Sequence, residues 1–328
     1  PMRNPLIDNA KGVLIFLVVL GHYVEAVGGW DNPYLGAILS IIYLFHMPAF
    51  VFLTGVTAKK DRLGERIANL AIILVVFQFA YVVLEVISDG EWPVGLFQPF
   101  WILWFLLSLI WWTLLLPLIA RVPYAFAISI MIAAVAGLYP WDGYQLSVMR
   151  TLTFLPFFVG GVLHGSRIIA ALQAYAQWRF LAALIFVATA VVVIPWGLEK
   201  EWFYRSTSYT DLGIDGLTGS LISAALLLLT TTSMFAFLAC MTSKPSYVSV
   251  VGQNSLAVFV FHGFAVGIVR KVIALNGLPA GPWGLAFAIV AAVITTLVFA
   301  KPVFNAKIRA FSMSVSRRFV KVVRRTGP

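Results

Sequence analysis

Four ionisable residues sit in the first apolar stretch of the chain, DNAKGVLIFLVVLGHYVE, running from Asp8 to Glu25. Lys11 and His22 are eleven positions apart, and at about 100° per residue they return to within roughly 20° of one helical direction. Asp8 and Glu25 fall on the same stripe. At about 1.5 Å rise per residue the imidazole stands roughly 16 Å further along the axis than Lys11, near the middle of the segment if the segment spans a bilayer. An imidazole with a carboxylate one turn beyond it can take up and return a proton while the acid holds one tautomer. The same residues can also form a hydrogen-bonded seam between packed helices. Because an ionisable side chain within a span is costly, a functional role is the first hypothesis.

The elements that position these residues follow from composition. Hydrophobic residues make up 61% of the 328 positions and charged residues 11%, and the mean hydropathy is +0.94, far outside the soluble balance. This predicts an all-α polytopic membrane protein, a bundle of about ten transmembrane helices. A window of about 20 residues places the spans near 10 to 27, 34 to 57, 67 to 87, 99 to 120, 122 to 139, 149 to 165, 179 to 197, 217 to 240, 254 to 273 and 283 to 303. Loop chemistry separates them: GGWDNP at 28 to 33, SDGEWP at 88 to 93, RVP at 121 to 123, YPWDG at 139 to 143 and NGLPAGP at 276 to 282. The first apolar segment is too long for a signal-peptide core and is expected to remain as a span. One transmembrane domain over 1 to 304 and a basic surface tail over 305 to 328 account for the chain. Its single cysteine, Cys240, permits no internal disulfide.

With the N-terminus in the cytoplasm, five of the 23 Lys and Arg residues lie outside or at the outer edge: Arg150, Lys200, Arg205, Arg270 and Lys271. The rest lie inside, as the positive-inside rule requires, and an even span count returns the C-terminus to the cytoplasm. Arg270 and Lys271, ending the ninth span, fit that pattern poorly. The net charge of +10 therefore reflects topology and lipid contact rather than nucleic-acid binding. The tail KIRAFSMSVSRRFVKVVRRTGP interleaves basic and apolar residues and is expected to lie on anionic headgroups.

Asp8, Lys11 and His22, in D-N-x-K-G followed by an apolar run and G-H, resemble the first helix of the acyltransferase family 3 membrane proteins, with Lys11 where the family more often has arginine. The resemblance continues in FHMPAFVFLTG from Phe45, WILWFLLSLIWW from Trp101, LPFFVGGVL from Leu155 and GQNSLAVFVFHGF from Gly252. It is closest in character to the branch of sugar O-acetylases, the fucose-4-O-acetylase-like members. This resemblance implies transfer of an acyl group, commonly acetyl, from cytoplasmic acyl-CoA to a hydroxyl of a glycan or glycolipid sugar outside the membrane. His22 would act as general base or as acyl carrier, with Glu25 and Lys11 in the catalytic stripe.

Such a donor needs cations at the inner face. AKKDRLGER supplies Lys59, Lys60, Arg62 and Arg66, of which Arg62, Arg66 and Lys11 are expected to hold coenzyme A phosphates, against the simpler reading of charge sorting. For the acceptor the candidates are Asp8, His46, Trp104 and Glu85. His46 precedes Pro48, which frees backbone groups that an imidazole can satisfy. Trp104 belongs to an aromatic stripe with Trp101, Trp111 and Trp112 that also suits interfacial anchoring. Glu85 and Gln78 are placed to line a polar cavity. His262 reads as packing or pore-lining and His164 as surface, and the four histidines show no metal-site spacing. The segment WGLEKEWFYRSTSYTDLGIDG from Trp196 either selects the acceptor or caps the bundle. A transporter or lipid flippase, or a non-catalytic scaffold for envelope assembly, are the competing classes. The former lacks paired interrupted spans in two halves.

Overall fold

Asn4 starts the first helix by accepting a hydrogen bond from the Leu6 amide, with Pro5 at the first helical position. A computed structural model describes residues 4–89, 97–140, 144–277 and 281–326. The expected breaks at 90 to 93, 141 to 143 and 278 to 280 lie outside the described residues.

The described chain is helical, with no strand among the described residues. The helices are α1 (Pro5–Ala26), α2 (Pro33–Val56), α3 (Leu63–Asp89), α4 (Trp104–Ile119), α5 (Ala125–Val135), α6 (Val148–Thr153), α7 (Leu155–Ala174), α8 (Arg179–Val193), α9 (Lys200–Tyr204), α10 (Gly216–Cys240), α11 (Tyr247–Gln253), α12 (Ser255–Asn276), α13 (Pro282–Phe299) and α14 (Pro302–Thr326). Nine of them, α1, α2, α3, α4, α7, α8, α10, α12 and α13, are long and apolar enough to cross a membrane.

The expected fifth span is the difference. Pro123 and the left-handed Tyr124, at φ 56°, delay the helix to Ala125, and it ends as a 3-10 turn at Leu138, which leaves it shorter than the other nine. It still joins the two ends of the bundle. Phe126 meets His164 near one end, with ring centroids 5.7 Å apart, and Tyr209 hydrogen-bonds to Ala134 and Gly137 near the other. The expected sixth span is likewise two helices, because Pro156 has no amide proton to give the carbonyl four residues back and the chain breaks at Phe154.

The starts of α1 and α14 lie at one end of the bundle. Gln173, at the close of α7, bonds Asn4 and Ser243, and Asn305, at the start of α14, bonds Gln253. This end also carries Arg62, Arg66, Arg179 and Lys244, and it is called the basic end below. The tail is one helix whose Asn305, Ile308, Ser312 and Ser316 are buried, at three- and four-residue spacing, on the face that meets α3 and α12.

α1 is the centre, in contact with α2, α11, α12 and α13. It meets α11 backbone to backbone: a Cβ on Gly252 would stand 1.8 Å from the Asp8 carbonyl oxygen, and one on Gly12 2.1 Å from that of Val248. Only glycine allows this approach, the usual device for close helix packing in lipid. Buried Asn9 closes the same seam, donating to the Thr242 and Lys244 carbonyls and accepting from Ser246 and Ser249.

At its other end α1 stops early. Gly28 and Gly29 take φ of 149° and 53°, conformations that glycine adopts without strain, and a short turn leads to Asn32, which caps α2 through the Tyr34 and Leu35 amides. His22 is thus about one turn from the end of α1 while standing beside His262, near the middle of α12. The expected place near the middle of the first span does not hold, since His22 is the eighteenth of the 22 residues of α1.

Candidate active site

The early stop of α1 opens a cavity of about 390 Å³ at the end of the bundle opposite the basic one. His22, Val18, His46, Met47 and Phe259 form its deeper wall, and Trp30, Asp31, Lys200 and Arg270 belong to its mouth.

His22 Nδ1 lies 2.9 Å from Oε2 of Glu25. A carboxylate accepts, so the ring carries its proton on Nδ1 and leaves the Nε2 lone pair for a substrate. Glu25 is itself held. Its Oε1 accepts from the Tyr204 hydroxyl and from Trp30 Nε1 at 3.4 Å, and the same indole N–H lies 2.9 Å from the Tyr204 oxygen. Burial and the neighbouring Glu25 charge push the Tyr204 phenol well above its ordinary range, which keeps it a donor. Tyr43 adds a hydroxyl 3.4 Å from His22 Nδ1. The arrangement of base, orienting acid and supporting donors is that of general base catalysis.

Rings enclose the imidazole. Trp101 stands edge-on at 4.7 Å between centroids, and His262 stacks at 5.5 Å with 17° between planes. Trp101 is held at φ 33°, a left-handed conformation costly for a bulky residue and most often retained at functional sites. His262 is fully buried, bonds the Val258 and Phe259 carbonyls through Nδ1 and has no partner at Nε2 among the described residues. It packs behind His22 rather than lining the cavity.

The other predicted residues divide sharply. Glu25, His46 and Trp104 join His22 at the cavity. His46 bonds the Ile42 carbonyl at 2.7 Å, not that of Leu44, which Pro48 leaves without its amide partner. Lys11 does not join them: its Nζ lies 3.1 Å from Thr57 Oγ1 near the basic end, and between it and His22 α1 buries Leu14, Ile15, Val18 and Val19 in the core. Asp8 accepts from Gln253 on the same end. Arg62 faces Glu65 at 3.9 Å, and Arg66 faces Asp61 at 3.5 Å and donates to the Lys59 carbonyl. Glu85 lies 3.9 Å from Lys271, outside the cavity lining, and Gln78 clamps the backbone at Gln98 and Phe100. His164 is exposed, and Trp112 is buried with its indole on the Thr151 carbonyl.

Sequence reasoning missed Tyr43, Trp101, Tyr204 and the cavity cations Arg150, Lys200 and Arg270. The cations carried a signal, since all three are exceptions to the charge asymmetry. Tyr204 belongs to the segment from Trp196 already singled out, three residues of which, Lys200, Phe203 and Tyr204, line the cavity, but its bond to Glu25, 179 positions away, had no spacing signal. Among the described residues no group of three or more His, Cys, Asp or Glu is arranged to hold a metal ion.

Comparison with known proteins decides the class, because the family model described as "Acyltransferase domain" matches residues 4–301. The chain belongs to this acyltransferase family. It is a multi-pass membrane acyltransferase, and the cavity around His22 is the candidate seat of its chemistry. Among relatives of the acyltransferase, Nodulation protein NolL of Sinorhizobium fredii is 27% identical over 299 residues, 80% of this chain and 77% of its own length. The protein of the same name from Mesorhizobium japonicum is 40% identical over 55 residues, 16% of this chain and 15% of its own. No solved structure matches the acyltransferase chain.

Proposed function

We propose that the protein moves an acyl group, acetyl in the simplest case, from a coenzyme A thioester on the cytoplasmic side to a hydroxyl of an extracytoplasmic glycan or glycolipid sugar. One observation carries this reading: an imidazole oriented by a carboxylate, in a cavity open at the end of the bundle that bears few cations. By the positive-inside rule the basic end, with the starts of α1 and α14, is the cytoplasmic one, and on that assignment the cavity opens to the side where such sugars lie.

In the direct mechanism His22 Nε2 takes the proton of the acceptor hydroxyl as its oxygen adds to the thioester carbonyl. The tetrahedral oxyanion then collapses, the C–S bond breaks, and the departing thiolate recovers the proton from the imidazolium, which Glu25 steadies. In the two-step version Nε2 itself attacks the thioester and the C–S bond breaks to release the thiolate; the acceptor hydroxyl then attacks the acyl-imidazole, the N–C bond breaks to return the imidazole, and the hydroxyl proton goes to the thiolate. Lys11, Arg62 and Arg66 hold the donor's phosphates at the inner face. The roughly 16 Å along α1 from Lys11 to His22 is the distance the thioester arm must cover, and helices packed on α1 must part to admit it. His46 and Trp104 shape the acceptor pocket. Asp8 and Glu85, bonded to Gln253 and paired with Lys271, have no part in this scheme.

The test is radiolabelled acetyl-CoA with the purified protein in liposomes and sugar acceptors. Wild type moves label to sugar or to water and His22→Ala does neither. Undiminished turnover in His22→Ala would remove the base from the mechanism, and no consumption of label by wild type would favour a transporter.

A further inference from the structure

Arg150 is buried, with 8% of its surface exposed, yet it lines the cavity. Its Nε donates to the Tyr204 backbone carbonyl at 3.0 Å, and its guanidinium lies 5.0 Å from the Trp104 ring and 5.1 Å from that of Tyr144. All of these partners are neutral. Among the described residues no carboxylate lies within ion-pair distance of Arg150, Arg270 or Lys200. The two acids of the cavity do not fill that gap: Glu25 is occupied by His22, Tyr204 and Trp30, and Asp31 is exposed at the rim.

Adjacent residues of α12 sharpen the point. Lys271 faces Glu85 at 3.9 Å, whereas Arg270 lies over Trp101 at 5.0 Å and lines the cavity mouth. Trp101 in turn touches His22. One arginine has thus been carried into the bundle with no counter-charge among the described residues, and a second is placed one indole away from the base. A buried guanidinium without an anion is costly. A role in headgroup anchoring or topology does not require Arg150 to leave the surface.

Resting on the acyl-transfer reading, we propose that the acceptor is anionic: it bears a carboxylate or phosphate about one sugar ring from the reacting hydroxyl, held by Arg150 with Arg270 at the entrance. Guanidinium groups suit both oxyanions through charge-assisted, bidentate hydrogen bonds. A uronic acid in a glycan, or the phosphate that links a sugar to a carrier lipid, presents that chemistry. The donor's own phosphates are the less fitting occupant, since these cations lie at the end opposite Lys11, Arg62 and Arg66.

The experiment uses the full chain in nanodiscs with a methyl glucuronide, a sugar 1-phosphate and the neutral methyl glucoside at equal ionic strength, and reads both thermal unfolding and acetyl transfer from labelled acetyl-CoA. The expected result is a rise in unfolding temperature with one of the two anions but not with the glucoside, and a preference for that anion of about tenfold or more in kcat/KM. Which anion succeeds tells uronate from phosphate. Arg270→Gln reduces the preference several-fold, Arg150→Gln abolishes it, and Arg270→Lys restores part of it. Should Arg150→Gln not fold, the Arg270 pair carries the test alone. Equal treatment of charged and neutral sugars in both readouts overturns the proposal, as does loss of coenzyme A binding in Arg270→Gln with the sugar preference unchanged. If an anion stabilises the protein but label never leaves acetyl-CoA, the anion site stands and the acyl-transfer reading fails.

Discussion

Two pairs of arginines at opposite ends of the bundle handle positive charge in opposite ways. At the basic end Arg62 is exposed and Arg66 half-buried, and they are matched by their own loop's Glu65 and Asp61. At the cavity end Arg150 is buried and Arg270 lies on an indole, and neither meets a carboxylate among the described residues. Exposed pairs of the first kind contribute little to stability, and their abundance is explained by sorting across the membrane. A cation of the second kind is expensive and calls for a ligand. Of the five exceptions to the charge asymmetry, Arg150, Lys200 and Arg270 line the cavity, while Arg205 and Lys271 do not.

The largest effect that tests this contrast is at the base. His22→Ala should lower turnover by about a thousandfold, within the usual range for general base catalysis, with the bundle still folded by circular dichroism. Glu25→Gln should cost about a hundredfold in kcat with little change in donor KM, because it frees the imidazole tautomer while leaving the basic end untouched. An effect confined to KM would show that Glu25 binds rather than orients. Arg66→Ala asks whether the basic end does more than sort charge: the expected outcome is a donor KM about tenfold higher at constant kcat, and an unchanged KM would reduce that end to topology alone. Smallest of all is Arg62→Ala. Its ion pair is long, at 3.9 Å, with side chains 75% and 61% exposed, so unfolding measurements should show a loss below about 0.5 kcal/mol.

Much of this was legible in the chain. The run from Asp8 to His22, the break at GGWDNP and the periodic apolar spans gave the helices and the His22–Glu25 pairing, because those relations are local and follow helical geometry. The short α5 was not. Apolar composition over 122 to 139 looks sufficient, and only the backbone of Tyr124 shows that the helix begins late. The shared stripe of Lys11 and His22 is one helical face but not one cavity, since a common face says nothing about what packs between two residues roughly 16 Å apart along an axis. Trp104, the expected acceptor residue, lines the cavity, yet Trp101 is the indole that touches the imidazole. Contacts of Tyr204 and His262 with the α1 residues depend on chain-distant packing, for which no spacing rule exists.

Tyr204 grips both halves of the cavity at once: its hydroxyl holds Glu25 and its carbonyl holds Arg150. A tug on the guanidinium by a docking molecule would therefore reach the imidazole through two residues, Tyr204 and then Glu25. Mismatched molecules that lodge without that tug would occupy the chamber yet leave the proton acceptor slack, so selectivity would be written into the speed of the reaction more than into residence.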